Sequence, residues 1–283
     1  MKKVLIFNVL MIAVLVSCTI NSKKQKMEQQ TEDVCKIFIL NDVMRQGNAE
    51  ILISPNADTL KKYIPEGTYS SAINAFLVQR GDSNYLFDAG MGFKLVENLA
   101  AHNVLPENVN YIFITHCHGD HIGGLLKDST AVFPNAQLYI NKIEFNYWQK
   151  QQNPQFLSVI AQYKNRLRIF EIEDTTAHKP LVAGIEAVAA YGHTPGHTMY
   201  LVKGNIPTLI WGDLTHVMPI QMPHPEYSVS YDTNPAQAAA VREKTLKYAA
   251  ENGIQIAGMH IAEGLGKISK SQTVGYVFSD LQN

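Results

Sequence analysis

The densest run of reactive side chains is His116-Cys117-His118-Gly119-Asp120-His121, four potential metal ligands within six residues. Imidazole nitrogens and carboxylate oxygens are the donors that borderline cations such as Zn²⁺ take. In an extended loop His116 and His118 point to the same side. Asp120 and His121 fall where the chain turns into a helix, so they can face a second ion beside the first. Gly119 and the Gly123-Gly124 pair permit the tight backbone that packs so many ligands together. Cys117 alternates with the two histidines and points away from them. Two ions about 3.5 Å apart can share a water and lower its pKa towards about 7. That machinery is hydrolytic, suits carbonyl or phosphoryl centres and needs no organic cofactor.

The elements that must position these residues are mostly short strands. Tyr111–Thr115 reads as a buried strand that delivers the chain into the histidine loop. Other β-like runs are Lys36–Leu40, Glu50–Ile53, Ala72–Gln79, Asn84–Phe87, Ala136–Ile140 and Leu167–Phe170. Ile185–Ala189, Met199–Val202, Thr208–Trp211 and Ile254–Ala257 continue the series. The clearest helix runs from Pro235 to Asn252, with Asn234 as N-cap, Pro235 at the first position and Gly253 after the end. Helices are also expected over Lys94–His102, Ile122–Leu126, Lys142–Gln149 and Phe156–Asn165. This mixture points to sheets covered by helices.

Composition narrows the class further. The 283 residues are 46% hydrophobic and 17% charged, with 24 Lys+Arg against 25 Asp+Glu, enough for a sizeable core in one large domain. A net charge of −1 excludes nucleic-acid binding through bulk electrostatics. Three cysteines exclude a disulfide scaffold, whereas ten histidines are compatible with a metal site. Residues 1–17 combine a basic start with the apolar run Val4–Val16, too short to span a bilayer and built like an export signal. Leu15-Val16-Ser17-Cys18 resembles the lipobox of bacterial lipoprotein signals, which implies lipidation at Cys18 and a chain exported to the bacterial cell envelope, on the periplasmic or outer-membrane side. Residues 18–33 read as a flexible tether, and 34–283 as the hydrolase domain. Removal of Lys2 and Lys3 with the signal leaves 22 basic against 25 acidic residues, a balance of −3.

The histidine run resembles the signature H-x-H-x-D-H of the metallo-β-lactamase superfamily. Gly192-His193-Thr194-Pro195-Gly196-His197, Trp211-Gly212-Asp213 and Gly258-Met259-His260 match further family motifs in the expected order. Tyr85-Leu86-Phe87-Asp88-Ala89-Gly90 resembles the strand and D-x-G turn upstream. The resemblance covers roughly residues 72 to 278 and implies an α+β fold, the four-layer αβ/βα sandwich, with the site at strand ends between two sheets. It further implies two divalent metal ions, most readily Zn²⁺. His116, His118 and His197 would hold one, Asp120, His121 and His260 the other, and Asp213 would bridge them. Asp120 would also relay a proton to the leaving oxygen. His193 is expected to orient the ligand loop through a hydrogen bond. His216 is expected at the pocket mouth, in a loop or in the core, His224 at the rim or in a loop, and His102 and His178 in solvent.

Asp213 bears on substrate, because true β-lactamases of the superfamily lack an acid at the bridging position. The balance of −3 argues against a ribonuclease Z-type nuclease, and no basic C-terminal segment of the glyoxalase II type is present. The branch that remains resembles quorum-quenching lactonases and methyl parathion hydrolase-like enzymes. It rests on Phe133-Pro134-Asn135-Ala136, Glu144-Phe145-Asn146-Tyr147-Trp148, the run Trp211–Val217 and the run from Asp232 to Ala240. That resemblance implies a small lactone or ester substrate, with N-acyl homoserine lactones in view. Phosphotriesters or aryl esters are the alternative, and a β-lactamase or a non-catalytic metal-binding lipoprotein follow behind. Phe145, Trp148 and His216 are the expected pocket residues, with core packing the alternative for the helix face carrying the first two. No nucleic-acid partner is expected, membrane contact would come through the N-terminal lipid, and a homodimer stays open.

Overall fold

Ala72 to Val78 is buried without a break, and a strand that buries both of its faces must lie between two apolar layers. In the computed structural model, which describes residues 34–281, that strand belongs to the first of two large sheets. It contains β1 (Cys35–Asn48), β2 (Thr68–Arg80), β3 (Ser83–Phe87) and β4 (Tyr111–Phe113). A small separate hairpin, β5 (Leu126–Lys127) and β6 (Thr130–Ala131), precedes β7 (Gln137–Asn141) and β8 (Leu167–Phe170), which complete the first sheet. The second sheet holds β9 (Lys179–Val182), β10 (Ile185–Ala189), β11 (Thr198–Val202), β12 (Thr208–Ile210), β13 (Gln255–Ala257), β14 (Leu265–Lys270) and β15 (Tyr276–Asp280). Its spatial order is β15-β14-β13-β12-β11-β10-β9, as the first sheet runs β1-β2-β3-β4-β7-β8.

The period of two along each strand sorts side chains between layers. Phe76, Phe87 and Phe113 of the first sheet meet Tyr200, Ile210 and Ala257 of the second in the central core. Their neighbours Leu77, Leu86 and Ile112 point outward, under the helices of the first half. Those helices are α1 (Ala57–Tyr63), α2 (Leu95–Ala101), the short α3 (Gly119–Ile122), α4 (Lys142–Lys150) and α5 (Pro154–Tyr163). Phe156, Val159 and Tyr163 of α5 and Leu95 and Leu99 of α2 cover that outer face. On the far side, Met199, Leu201 and Leu209 lie with Leu246 and Ala249 of α7 (Pro235–Asn252), which follows the short α6 (Met218–Gln221). The layers are therefore αβ/βα, the expected sandwich.

Strand direction then collects the functional loops. β3 and β4 are parallel, as are β12 and β13, so Asp88, the run 115–121, Asp213 and His260 all leave C-terminal strand ends. β11 is antiparallel to β12, which brings the preceding 193–197 loop to the same edge. Thr198 N donates to Thr115 O across the two sheets at 2.9 Å, and Asn74 N donates to Met259 O at 2.9 Å.

α7 has the bounds expected from sequence, with the Asn234 side chain accepting from Gln237 N and Gly253 in the left-handed region at φ 62°. Two expectations are corrected. Glu50–Ile53 is not a strand; Ala49–Ile51 forms a 3₁₀ turn with the Asn48 side chain accepting from Glu50 N. The β1–β2 pairing ends at Asn48↔Thr68, so the segment extends no strand of the sheet; Leu52 makes only an isolated antiparallel bridge to Val229 and joins a cluster with Val217, Ile220 and Val229. The helix expected over Ile122–Leu126 begins earlier, as α3, and gives way to a 3₁₀ turn at Gly123–Leu125. The signal segment, the tether and Cys18 lie outside the described residues.

Candidate metal centre

Hydrogen bonds on the outer nitrogens fix where the histidine lone pairs point. The Thr115 hydroxyl donates to Asp88 Oδ2 at 2.7 Å, so towards His116 Nδ1, 3.1 Å away, it can only accept. His116 is thereby held with its proton on Nδ1 and a lone pair on Nε2. His121 Nδ1 donates to Asp88 Oδ2 at 2.7 Å, His193 Nδ1 to Asp232 Oδ1 at 2.9 Å, and His260 Nδ1 to the Ala72 carbonyl at 2.9 Å. Each of these three then turns Nε2 towards the centre as the atom a cation would meet. His118 adds Nδ1, which lies 2.8 Å from His116 Nε2 and 3.1 Å from His193 Nε2.

These nitrogens form two groups. His116, His118, His193 and Asp213 bring one donor atom each within 4.8 Å of one another, as do Asp120, His121 and His260; Asp213, His216 and His260 form a third set that shares a member with each. Asp213 lies between the groups. Its Oδ2 is 3.3 Å from His193 Nε2, 3.6 Å from His116 Nε2 and 3.2 Å from His260 Nε2, while Oδ1 is 3.1 Å from His121 Nε2. Asp120 is the more exposed acid, with its oxygens 3.7 Å from His121 Nε2 and 3.6 Å from His260 Nε2.

The donor set fits cations. His121 Nε2 and Asp213 Oδ1 are buried, and despite their proximity neither has an aligned hydrogen-bond partner. Unpaired buried polar atoms are costly, and a shared cation satisfies several at once. Electrostatics agree. Burial alone would raise the Asp213 pKa, yet His121, His260, His116 and His216 hold it well below the usual carboxylate range. Burial, then repulsion from His121, holds His116 well below its ordinary value. Burial and neighbouring His193 lower His118 to about 4. Asp213 acts the other way on His121, raised well above its ordinary value, and with Asp232 on His193, raised to about 9, so a cation bound here would replace protons on those two rings.

The ligand assignment implied by the sequence changes in one place. His197 does not join either group. Its Nδ1 donates to the Ala190 carbonyl at 3.0 Å and its Nε2 accepts from Asp213 N–H at 3.1 Å, so backbone occupies both ring nitrogens. Burial and His193 push its pKa down to about 3, in keeping with a neutral acceptor. His193, expected only to orient the loop, takes its place. The two histidines of Gly192-His193-Thr194-Pro195-Gly196-His197 are equal candidates by type, and the turn between them decides which one faces the site. Gly212, at φ 60°, is part of this arrangement, because a Cβ there would fall on the His197 ring.

His216 takes the buried one of its expected places. It is buried with Nε2 3.0 Å from Asp213 Oδ2, and it stacks on His260 with ring centroids 4.9 Å apart. The core alternative therefore holds for His216, which stands behind the central carboxylate, and the exposed Tyr231 ring, 6.0 Å away, occupies the outer position. Phe145 packs into the outer core against Phe156, as the core alternative has it, and does not line the site. Trp148 is close to the centre, edge-on to His118 with ring centroids 5.4 Å apart. Cys117 points away into the same outer core, where burial pushes its thiol pKa well up. His178 is exposed, His224 is half-buried against Tyr63 and Tyr227, and His102 stacks on Phe38 at 4.1 Å.

Among the described residues, three of the four buried acids outside the ligand groups hold the scaffold of the site. Asp88, at φ 54°, accepts from Thr115 N, the Thr115 hydroxyl and His121; such backbone in a non-glycine residue persists only where neighbours over-determine it. Glu144 joins both ligand loops. Its Oε1 accepts from Cys117 N at 2.9 Å and Trp148 Nε1 at 2.6 Å, and its Oε2 accepts from the Thr194 hydroxyl at 2.7 Å and Gly196 N at 3.0 Å. Asp232 holds His193 and lies 3.6 Å from Arg242 Nη2, whose guanidinium also donates to the carbonyls of Leu214, Pro225 and Tyr227. The sequence singled out neither Glu144 nor Arg242 for such a role, since a charged residue on an amphipathic helix reads as solvent-facing.

A family model described as the metallo-beta-lactamase superfamily matches residues 69–253. The chain belongs to that superfamily, and its His/Asp clusters on that fold define a metal-dependent hydrolase. Among solved structures, a hydrolase of the beta-lactamase superfamily, AbOPH, is 28% identical, with 87% of this chain and 94% of that one covered at a TM-score of 0.78. AidC, a dizinc quorum-quenching lactonase in complex with a product, N-hexanoyl-L-homoserine, is 27% identical over 87% of this chain and 94% of its own, with a TM-score of 0.76. The uncharacterized protein YobT of Bacillus subtilis strain 168 is 31% identical over 147 residues, 50% of this chain. The match spans 61% of YobT, so the chain covers about three fifths of that curated relative.

Proposed function

We propose that the protein is a dinuclear metallohydrolase that opens lactones, with acyl lactones of the N-acyl homoserine class as the leading substrates. The observation that carries this reading is the pair of donor groups sharing Asp213. The similarity to AidC across 87% of the chain supports the substrate class. His116, His118 and His193 would hold one ion, Asp120, His121 and His260 the other, and Asp213 would sit between them, with Zn²⁺ the cation best matched to these donors. Bound there, two such ions would lower the pKa of a water towards neutrality and polarise a substrate carbonyl.

The remaining work falls to the chain. Asp88 and Asp232 keep His121 and His193 in the tautomer that leaves Nε2 free. Asp120, a quarter exposed, is the acid nearest the opening. Burial would raise its pKa, but His121 outweighs that and keeps it ionised, so it can accept a proton from the attacking water. As the ring carbon–oxygen bond breaks, that proton passes from Asp120 to the departing alkoxide, giving an alcohol and a carboxylic acid, and the acid loses its remaining proton to solvent to become the carboxylate. Trp148 beside His118 offers an apolar wall on one side, and Tyr231 offers a partly exposed ring on the other.

Asp120→Asn should keep the fold and lower turnover by about two to three orders of magnitude, the usual cost of losing a proton-transfer group. The test is hydrolysis of an acyl homoserine lactone series beside aryl phosphotriesters, aryl esters and β-lactams, with metal content measured on the same sample. Ring opening as the fastest reaction, abolished by chelation, is the expected result. Fastest turnover of phosphotriesters or β-lactams would sink the lactonase reading. The reading also carries an envelope location through lipid on Cys18. Cys18→Ser should move the protein from the membrane fraction to the soluble one, and an unchanged distribution would remove the anchor.

A further inference from the structure

A second cavity, of about 330 Å³, lies away from the metal ligands, between the outer face of the second sheet and α7. Its sheet wall is Val188, Met199, Leu201 and Leu209, the side chains that point away from the central core. Its helix wall is Gln237, Val241, Lys244, Thr245 and Tyr248. Those positions recur at three and four residues and so share one face of the helix. Small apolar sites are commonly concave, mostly apolar and about 300 Å³ or more, with a few polar groups that fix orientation. At about 30 Å³ per water-sized group, this cavity would hold about ten heavy atoms.

Polarity within the cavity is one-sided. The floor is aliphatic, whereas Lys244 and Gln237 stand on the helix side with Thr175 and Thr176 near the opening. His178, also at the edge, already has Glu186 at 3.2 Å. Lys244, by contrast, has no carboxylate partner among the described residues. An unpaired ammonium beside an apolar slot complements an anionic head on an apolar tail.

We propose that this cavity is a second small-molecule site that takes a medium-chain aliphatic carboxylate. The chain lies on Val188, Met199, Leu201 and Leu209, and the carboxylate meets Lys244, two turns along the helix from Gln237. The occupant also touches Tyr191, two residues before His193, on a segment fastened to the start of α7 by Asn234 N donating to Gly192 O at 2.8 Å. The assignment stands apart from the reaction proposed for the metal centre.

Sodium octanoate is the probe, titrated into metal-loaded protein labelled with ¹³C at the methionine methyls and followed in parallel by calorimetry. One saturable site that shifts the Met199 methyl is expected. Lys244→Glu, at an exposed position, should weaken octanoate about tenfold while leaving octan-1-ol unaffected. Val241→Trp, which fills the cavity, should abolish the Met199 response, and thermal unfolding checks that both variants are folded. Lactone turnover should be unchanged in both. The proposal fails if Met199 does not respond, if both variants bind octanoate as tightly as the parent, if octan-1-ol binds the parent equally well, or if stripping the metals removes the site. The last result would place octanoate at the metal centre.

Discussion

His193→Ala is expected to leave a folded protein that binds about one ion in place of two, with hydrolysis lowered by about two to three orders of magnitude. His193 Nε2 sits 3.2 Å from His116 Nε2, 3.1 Å from His118 Nδ1 and 3.3 Å from Asp213 Oδ2. Its removal takes one of three imidazoles from a group that has no spare donor. Asp213 and Asp232 together outweigh burial and push the His193 pKa up to about 9, so the position draws a cation of one kind or another. His197→Ala provides the contrast. It deprives the Ala190 carbonyl and the Asp213 N–H of partners, at about 2–4 kcal/mol for two buried groups and a cavity. Metal stoichiometry should nevertheless remain at two. Metal analysis of both folded variants by mass spectrometry checks this. Loss of an ion in His197→Ala but not in His193→Ala would reverse the assignment.

Glu144→Ala should be the costliest single change to stability, at about 3–5 kcal/mol. Four donors from three segments converge on one buried carboxylate, and truncation leaves all four unsatisfied. For a domain of this size the Tm should fall by about 10 °C. Glu144→Gln distinguishes the clamp from simple packing. Each carboxylate oxygen accepts two donors, so an amide NH₂ at either oxygen opposes two N–H or O–H groups. Its Tm should therefore fall nearly as far as that of the alanine variant, although the shape is kept. Burial raises the Glu144 pKa, while the donors from Thr194, Cys117, Trp148 and Gly196 act in the opposite direction. A Tm within about 2 °C of the parent for Glu144→Gln would show that the carboxylate is not the link between the loops.

The central strands were legible because their chemistry is local. Ala72–Val78 is apolar apart from Asn74, and Leu167–Phe170 and Ile185–Ala189 have the bounds that pattern alone suggests. β14 and β15 were not legible, since Lys267, Lys270 and Asp280 interrupt the apolar pattern of strands that are half exposed. The ligands of the first loop were legible because four donors within six residues have few other uses. The exchange of His193 for His197 was not. Both residues have the same type and the same flanking glycine, and the difference lies in partners remote in sequence, namely Asp232 for the one and the backbone of Ala190 and Asp213 for the other. Glu144, Asp232 and Arg242 were hidden for the same reason: a buried charge is recognisable only once its partners surround it.

The most direct measurement is anomalous diffraction at the zinc edge from crystals of the zinc-loaded protein. Two peaks should flank Asp213. One should lie about 2.0–2.1 Å from nitrogens of His116, His118 and His193, and the other at the same distance from His121 and His260, with Asp120 completing it. A single peak, or a peak bonded to His197 with His193 turned away, would contradict the account.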